Sequence, residues 1–318
     1  MAKFTRQHIY DTAKELSNWG RWGENDQLGT LNNITPEDIV NAAKLIKKGK
    51  VFALGLDLKE KIQSGLFGGR WNMIHQMLAT GTDAVAGVQD SDGKTFLRYA
   101  DDAINLPCQG STQWDALCHI FLDDKMYNGY PATDVTIHGS SNLGIEHVRD
   151  KMAGRGVLLD IARFKGVDSL EDGYPITNKD LDDCATSQNV QIKKGDFVIV
   201  RTGHQERCLA KKDWTGYAGG DAPGLAFETA HWIKNHDIAA ICADTWGCEV
   251  RPNETDEANQ PWHWVVIPAI GISMGEIFYL KELAEDCEQD KVYEFFFNAP
   301  PLHIPGAAGS PINPQAIK

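Results

Sequence analysis

The chain has 318 residues, 42% apolar and 24% charged, which fits one large α/β domain or two small ones. A net charge of −13 argues against nucleic acid, whose binding needs a concentrated positive surface. No run reaches the ~18 apolar residues of a membrane span, and the N-terminus, MAKFTRQHIYDTAKELSNWG, has no apolar core of a secretion signal. The seven cysteines are odd in number and form no CxxC pair, so free thiols in a cytoplasmic protein are expected.

Residues 1–34 are expected to form an arm, irregular from about Trp19 and laid over an apolar surface or pocket. Thr35-Pro36-Glu37-Asp38 predicts a helix start: Thr35 caps, Pro36 suits the first helical position, and Asp38 completes a capping box. That helix should run to about Lys48, where Gly49 stops it. Val51–Leu58 reads as a strand. Glycines and an aspartate-rich turn near 89–93 predict loops and a hairpin over 61–93. Strands are expected at about 95–99, 110–116, 155–162, 196–202, 238–243 and 263–268, with helices at 223–235 and 277–287. A short helix and turn should occupy 181–193, and the Pro/Gly-rich tail should not be helical. The chain carries no GxGxxG, GxxxxGK[ST] or GxSxG motif, so nucleotide sites of those types and a serine-hydrolase elbow are unsupported.

The richest stretch is Gln109-Gly-Ser-Thr-Gln113-Trp-Asp115-Ala-Leu-Cys-His119. Residues two apart on a strand share a face, so Gln109, Gln113 and Asp115 can converge there, with His119 one turn away. Asp115 and His119 are spaced for a carboxylate–imidazole contact that orients a ring for proton transfer near neutral pH. The structural alternatives are an aspartate capping a strand–helix junction and a histidine at the core edge. Asp244 follows a buried strand, where α/β sites often lie, and with Glu249 it brackets Thr245–Cys248. Either acid could line a pocket or hydrogen-bond a ligand histidine. Trp22, Trp71 and Trp114 are candidate aromatic walls, with Arg70 and His75 as polar substrate contacts; His204 is a further candidate.

This segment resembles the marker His-x-Gly-Thr-His-x-Asp-x-Pro-x-His of the cyclase family of metal-dependent hydrolases, which includes bacterial kynurenine formamidase and isatin hydrolase. Gln109 and Gln113 stand at two marker histidines, Ser111 at the glycine and Leu117 at the proline. The likeness extends through "RWGENDQLGTLNNITPEDIVNAAKLIKKG", "GRGVLLDIA", "IKKGDFVIVRTG", "GLAFETAHWIKNHDIAAICADT" and "HWVVIPAIGISMGE". It implies a single domain, 1–318, of the swivelling β/β/α type, an α/β fold with a central barrel-like sheet and flanking helices. It also implies a divalent metal held at Gln109, Gln113, Asp115, His263 and Glu276, with His119 as acid–base, and a homodimer or homotetramer.

Two glutamines make the set mostly oxygen, which favours manganese over zinc. The amides could instead hold Asp115 or bind substrate with no metal. His263 could otherwise be a buried core histidine, and Glu276 a helix-capping acid. The reaction implied is hydrolysis of a small cyclic or aryl amide, imide or lactone by metal-activated water. A metal-independent lyase, dehydratase or cyclase using Asp115 and His119 is one alternative, and a non-catalytic small-molecule binding protein is another.

Overall fold

The computed structural model describes residues 4–65, 67–90, 93–94 and 97–318. Nine strands form its main sheet: β1 (Val51–Ala53), β2 (Gln113–Asp115), β3 (Ala153–Asp160), β4 (Phe197–Arg201), β5 (Ala240–Ala243), β6 (Ser273–Glu276), β7 (Glu294–Asn298), β8 (Gly309–Pro311) and β9 (Gln315–Ile317). Their order is β1-β9-β7-β3-β4-β5-β6-β2-β8. The sheet curls into a half-barrel flanked by helices. β3, β4, β5 and β6 run parallel, and the pairs on either side are antiparallel. The parallel centre explains the unbroken apolar runs FVIV and AICA, which are buried throughout. One core cluster draws on residues from Ile9 to Ala316.

The helices include α1 (Arg6–Leu16), α2 (Pro36–Ala43), α3 (Asn178–Ser187), α4 (His204–Lys211), α5 (Thr229–His236), α6 (Pro261–Val265) and α7 (Lys281–Asp290), with two further short turns of helix at Gly81–Val85 and Ile161–Phe164. The capping box at Thr35 and Asp38 is present, although α2 ends at Ala43 and not near Lys48. α3 starts earlier than expected because Thr177 and Asp180 form a second capping box. α1 was not anticipated in the arm. Thr5 caps it, and Ile9, Ala13 and Leu16 bury one face.

Beyond α1 the arm is irregular and fastened to the segment that follows α6. The Asn18 amide donates to the Ala269 carbonyl (2.9 Å) and Trp19 Nε1 to that of Pro268 (2.7 Å). Gly29 and Gly271 meet so closely that a Cβ at 29 would lie 2.0 Å from the Gly271 oxygen, and both have positive φ.

Four expectations are corrected. HWVVIP at 263–268 is not a strand. It belongs to α6 and a wider π-type turn over 266–270, started by Pro261 and closed by left-handed Gly271. Glu276 ends a strand, and the helix after it begins only at Lys281. The hairpin pairs Ile74–Ala79 with Asp101–Asn105. Of the strand expected at 95–99, residues 95 and 96 lie outside the described residues, and 97–99 are not a strand; residues 91 and 92 of the acidic turn also lie outside. No helix among the described residues is long and apolar enough to cross a membrane. The seven cysteines are free.

Candidate metal and catalytic site

β2 is three residues long and paired on both sides, by β6 and β8. The alternation of a strand turns Gln113 and Asp115 to one face and Trp114 to the other. Trp114 is fully buried against Phe278 and Phe297, and its Nε1 donates to the Ala299 carbonyl at 2.7 Å. It is a core residue, which corrects its expected place in the pocket wall.

On the polar face, Gln113 stands directly opposite Glu276 across the β2–β6 pair. Its Nε2 donates to Glu276 Oε2 (2.7 Å) and Asp115 Oδ1 (3.2 Å), while its Oε1 is buried without a hydrogen-bond partner. α6 brings His263 to the same place, with Nε2 3.4 Å from Glu276 Oε1. Ligand atoms of Asp115, His263 and Glu276 all lie within 4.8 Å of one another, and all three residues are buried. Behind them, Glu249 Oε1 contacts His263 Nδ1 and accepts the His263 amide at 3.3 Å. This is the histidine-orienting role considered for Glu249, and it leaves Nε2 facing the cluster.

The electrostatics ask for a cation. Burial and the neighbouring Asp115 charge raise the Glu276 carboxyl well above its usual range. Burial pulls His263 down, but the carboxylates of Glu249 and Glu276 outweigh it and hold the ring protonated. Three acids around one histidine retain a proton where a divalent ion would otherwise supply the charge. The donor set therefore fits a metal. Gln113 offers the carboxylates its donor nitrogen, so it is a ligand only if the amide turns over. Gln109 reaches toward the same strand pair, beside Gly309, which stands opposite Asp115 across the β2–β8 ladder. Its amide occupies the space a Cβ on Gly309 would take, 2.6 Å away. The chain turns at Gly110, whose amide donates to the Pro107 carbonyl, before β2 begins.

His119 follows β2 in a tight turn closed by its amide on the Ala116 carbonyl (3.0 Å). Its Nε2 is 3.8 Å from Asp115 Oδ1, and its side chain is 22% exposed. Burial lowers its pKa, with Asp115 opposing and Arg70 and His263 assisting. A cavity of about 210 Å³ is lined by Asp115, His119, His263 and Glu276. Its outer wall is Phe67, Arg70, Ile120, Trp246 and Gln260. Arg70 sits 5.0 Å from the Phe67 ring centroid and 5.1 Å from that of Trp246.

The other expected contacts lie elsewhere. Trp22 is half-buried in the arm under Arg21. Trp71 is exposed and bonded to Asn105, and His75 is exposed and paired with Asp102. Asp244 is buried and fully engaged by the amides of Thr202 and Gly203 and the Thr202 hydroxyl, so it secures a strand end. His204 is buried against Tyr217. Phe67, Ile120, Trp246 and Gln260 were missed. Trp246 could have been found by applying to it the strand-end argument that singled out Asp244. A larger groove of about 800 Å³ near Arg201 and Tyr279 holds none of the clustered acids, and its Arg201 is paired with Asp160 and Glu206.

The half-barrel α/β sheet thus carries a buried acid–histidine cluster at one strand end. The family model for Cyclase, described as "Putative cyclase", matches residues 56–250, and the chain belongs to that family. A solved structure described as a novel cyclase is 41% identical, with a TM-score of 0.85, covering 95% of this chain and 99% of its own. Isatin hydrolase A from Ralstonia solanacearum is 16% identical with a TM-score of 0.62, over 84% of this chain and 91% of that one. An isatin hydrolase bound to the product analogue thioisatinate is 17% identical with a TM-score of 0.60, over 89% and 98%. These two share the fold. No curated protein matches.

Proposed function

We propose that this chain hydrolyses a carbon–nitrogen or ester bond in a small cyclic or aryl amide, imide or lactone. The observation that carries the reading is the buried cluster of Asp115, His263 and Glu276 opening into the same cavity as His119. The three clustered residues would hold a divalent metal, with manganese favoured over zinc because two of the three ligands are carboxylates. When bound, such an ion supplies a Lewis acid and a water acidic enough to attack a carbonyl.

The chain's own residues do the rest. Glu249 fixes the His263 ring. Gln113 holds Asp115 and Glu276 at a set separation through its two amide hydrogens. His119 lines the cavity with its Nε2 3.8 Å from Asp115 Oδ1, and it accepts a proton and returns it to the leaving nitrogen or oxygen. Phe67 and Trp246 offer faces for a flat substrate, and the cavity volume limits it to a small one. A small-molecule substrate suits a chain whose acidity disfavours nucleic acid.

The test is elemental analysis of protein purified without chelators, beside Asp115→Asn and His119→Asn. Asp115→Asn should lose metal and activity together. His119→Asn should keep the metal and lose about 10²–10⁴-fold in kcat. Full activity in metal-free protein would refute the reading and favour the metal-independent lyase or cyclase.

A further inference from the structure

Besides its two histidines, the cavity is lined by three ionisable groups: Asp115, Glu276 and Arg70. The two acids belong to the metal cluster, and a divalent ion would balance them. The Arg70 guanidinium is then a positive charge left over. Other arginines grip an acid, as Arg21, Arg155, Arg201 and Arg207 do. Arg70 has no such partner among the described residues, and its one hydrogen bond runs from Nη1 to the Gln109 carbonyl at 3.4 Å. The rings of Phe67 and Trp246 hold the cation at 5.0 and 5.1 Å, which fixes it without using its N–H donors.

Two more lining residues carry unspent donors. Trp246 is 5% exposed, and its Nε1 is buried without an acceptor. A buried N–H is costly to leave unpaired, so this one points to a ligand that accepts. Gln260 is half-buried and held at φ 53°, a backbone conformation that residues other than glycine rarely adopt. Its amide donates to Asn253 Oδ1 at 3.0 Å, but its carboxamide bonds to no described residue. We propose that this outer wall is a carboxylate subsite, so that the substrate is an amide or ester that also carries a free carboxylate. A carboxylate only accepts, it matches the fork of a guanidinium, and it is flat enough to lie beside two aromatic faces. Its role as a substrate subsite rests on the hydrolase reading, whereas the anion binding itself does not.

The test is calorimetric titration of the full chain, as purified, with benzoate and with its neutral isostere benzamide. Benzoate should bind at least about tenfold more tightly. Arg70→Gln should abolish that preference, and Arg70→Lys should restore part of it, because the charge returns without the fork. A preference that survives Arg70→Gln overturns the proposal, since the carboxylate would then be held by the metal cluster. Inorganic phosphate that displaces benzoate at equal or lower concentration overturns the choice of a carboxylate. The wild type gives a second measure that needs no variant. Benzoate, and not benzamide, should protect Arg70 from phenylglyoxal, as mapped by peptide mass spectrometry; equal labelling with and without benzoate overturns the proposal. The two readings fail separately. Benzoate preference in a protein that hydrolyses no amide or lactone keeps the anion site and sinks the hydrolase reading. Hydrolysis of neutral amides with no benzoate preference sinks the carboxylate subsite alone.

Discussion

Glu249→Gln is a near-isosteric change whose cost follows from the bonds Glu249 makes. The carboxylate is 3% exposed and accepts from four sides. Oε1 takes the His263 ring and amide; Oε2 takes the Trp262 amide and Asn253 Nδ2, each at 3.3 Å. An amide has one accepting end. If its oxygen faces His263, its NH₂ confronts two donors, from Trp262 and Asn253. If it turns, the NH₂ confronts the His263 amide and ring. Either way, buried donors lose a partner, at about 1–3 kcal/mol of folding stability.

The ring also loses the charge that orients it. Outer-sphere changes of this kind weaken metal binding about 10–100-fold, or about 1.4–2.7 kcal/mol. The two effects separate by assay. Urea denaturation of the apo protein reads the first, and Mn²⁺ titration followed by the paramagnetic resonance of free ion reads the second. A variant with unchanged Mn²⁺ affinity would refute the assignment of His263 as a ligand held by Glu249. Lost stability with intact affinity would leave Glu249 a fold-stabilising acid only.

Gln113→His should raise the ratio of zinc to manganese affinity at least about tenfold, because imidazole nitrogen suits zinc and the lost Oε1 makes no hydrogen bond; competition against a chelator measures it, and an unchanged ratio counts against Gln113 bordering the ion. Asp286 receives Lys48, Lys50 and Lys318. Burial pushes its carboxyl up, but the three ammonium groups outweigh that and hold it well below the usual carboxylate range. Its contribution is therefore present above about pH 4, the unfolded value, and is lost as pH falls further. Asp286→Asn should lower Tm at pH 7 and flatten the fall in Tm below about pH 4; an unaltered acid limb would sink the idea.

The buried parallel strands were legible because their apolar runs are unbroken and bounded by turns. The convergence of Gln113 with Asp115 was legible from strand period alone. The same period implied that Trp114 faces away, so placing it in the pocket wall was an inconsistency within the sequence reading. Strand period does not reach Gln109, which lies before the turn at Gly110, so its place beside Gly309 rests on the turn and not on alternation. HWVVIP misled because tryptophan and valine favour strands. Pro261 before it, Gly271 after it and the clamp from the N-terminal arm decided for a helix, and tertiary packing outweighed local preference. The arm's own helix was passed over although Ile9, Ala13 and Leu16 repeat at helical spacing.

β2 is held on both edges, so its backbone cannot rotate to suit a new ligand without dragging Trp114 through the core. Adaptation at this site is confined to exchanging side chains in place. A library varied at positions 113, 119 and 260 should therefore yield many folded variants with altered ion preference. A one-residue insertion or deletion within 113–115 should yield almost none, because it would turn the indole toward the cavity and the carboxylate toward Phe278 and Phe297.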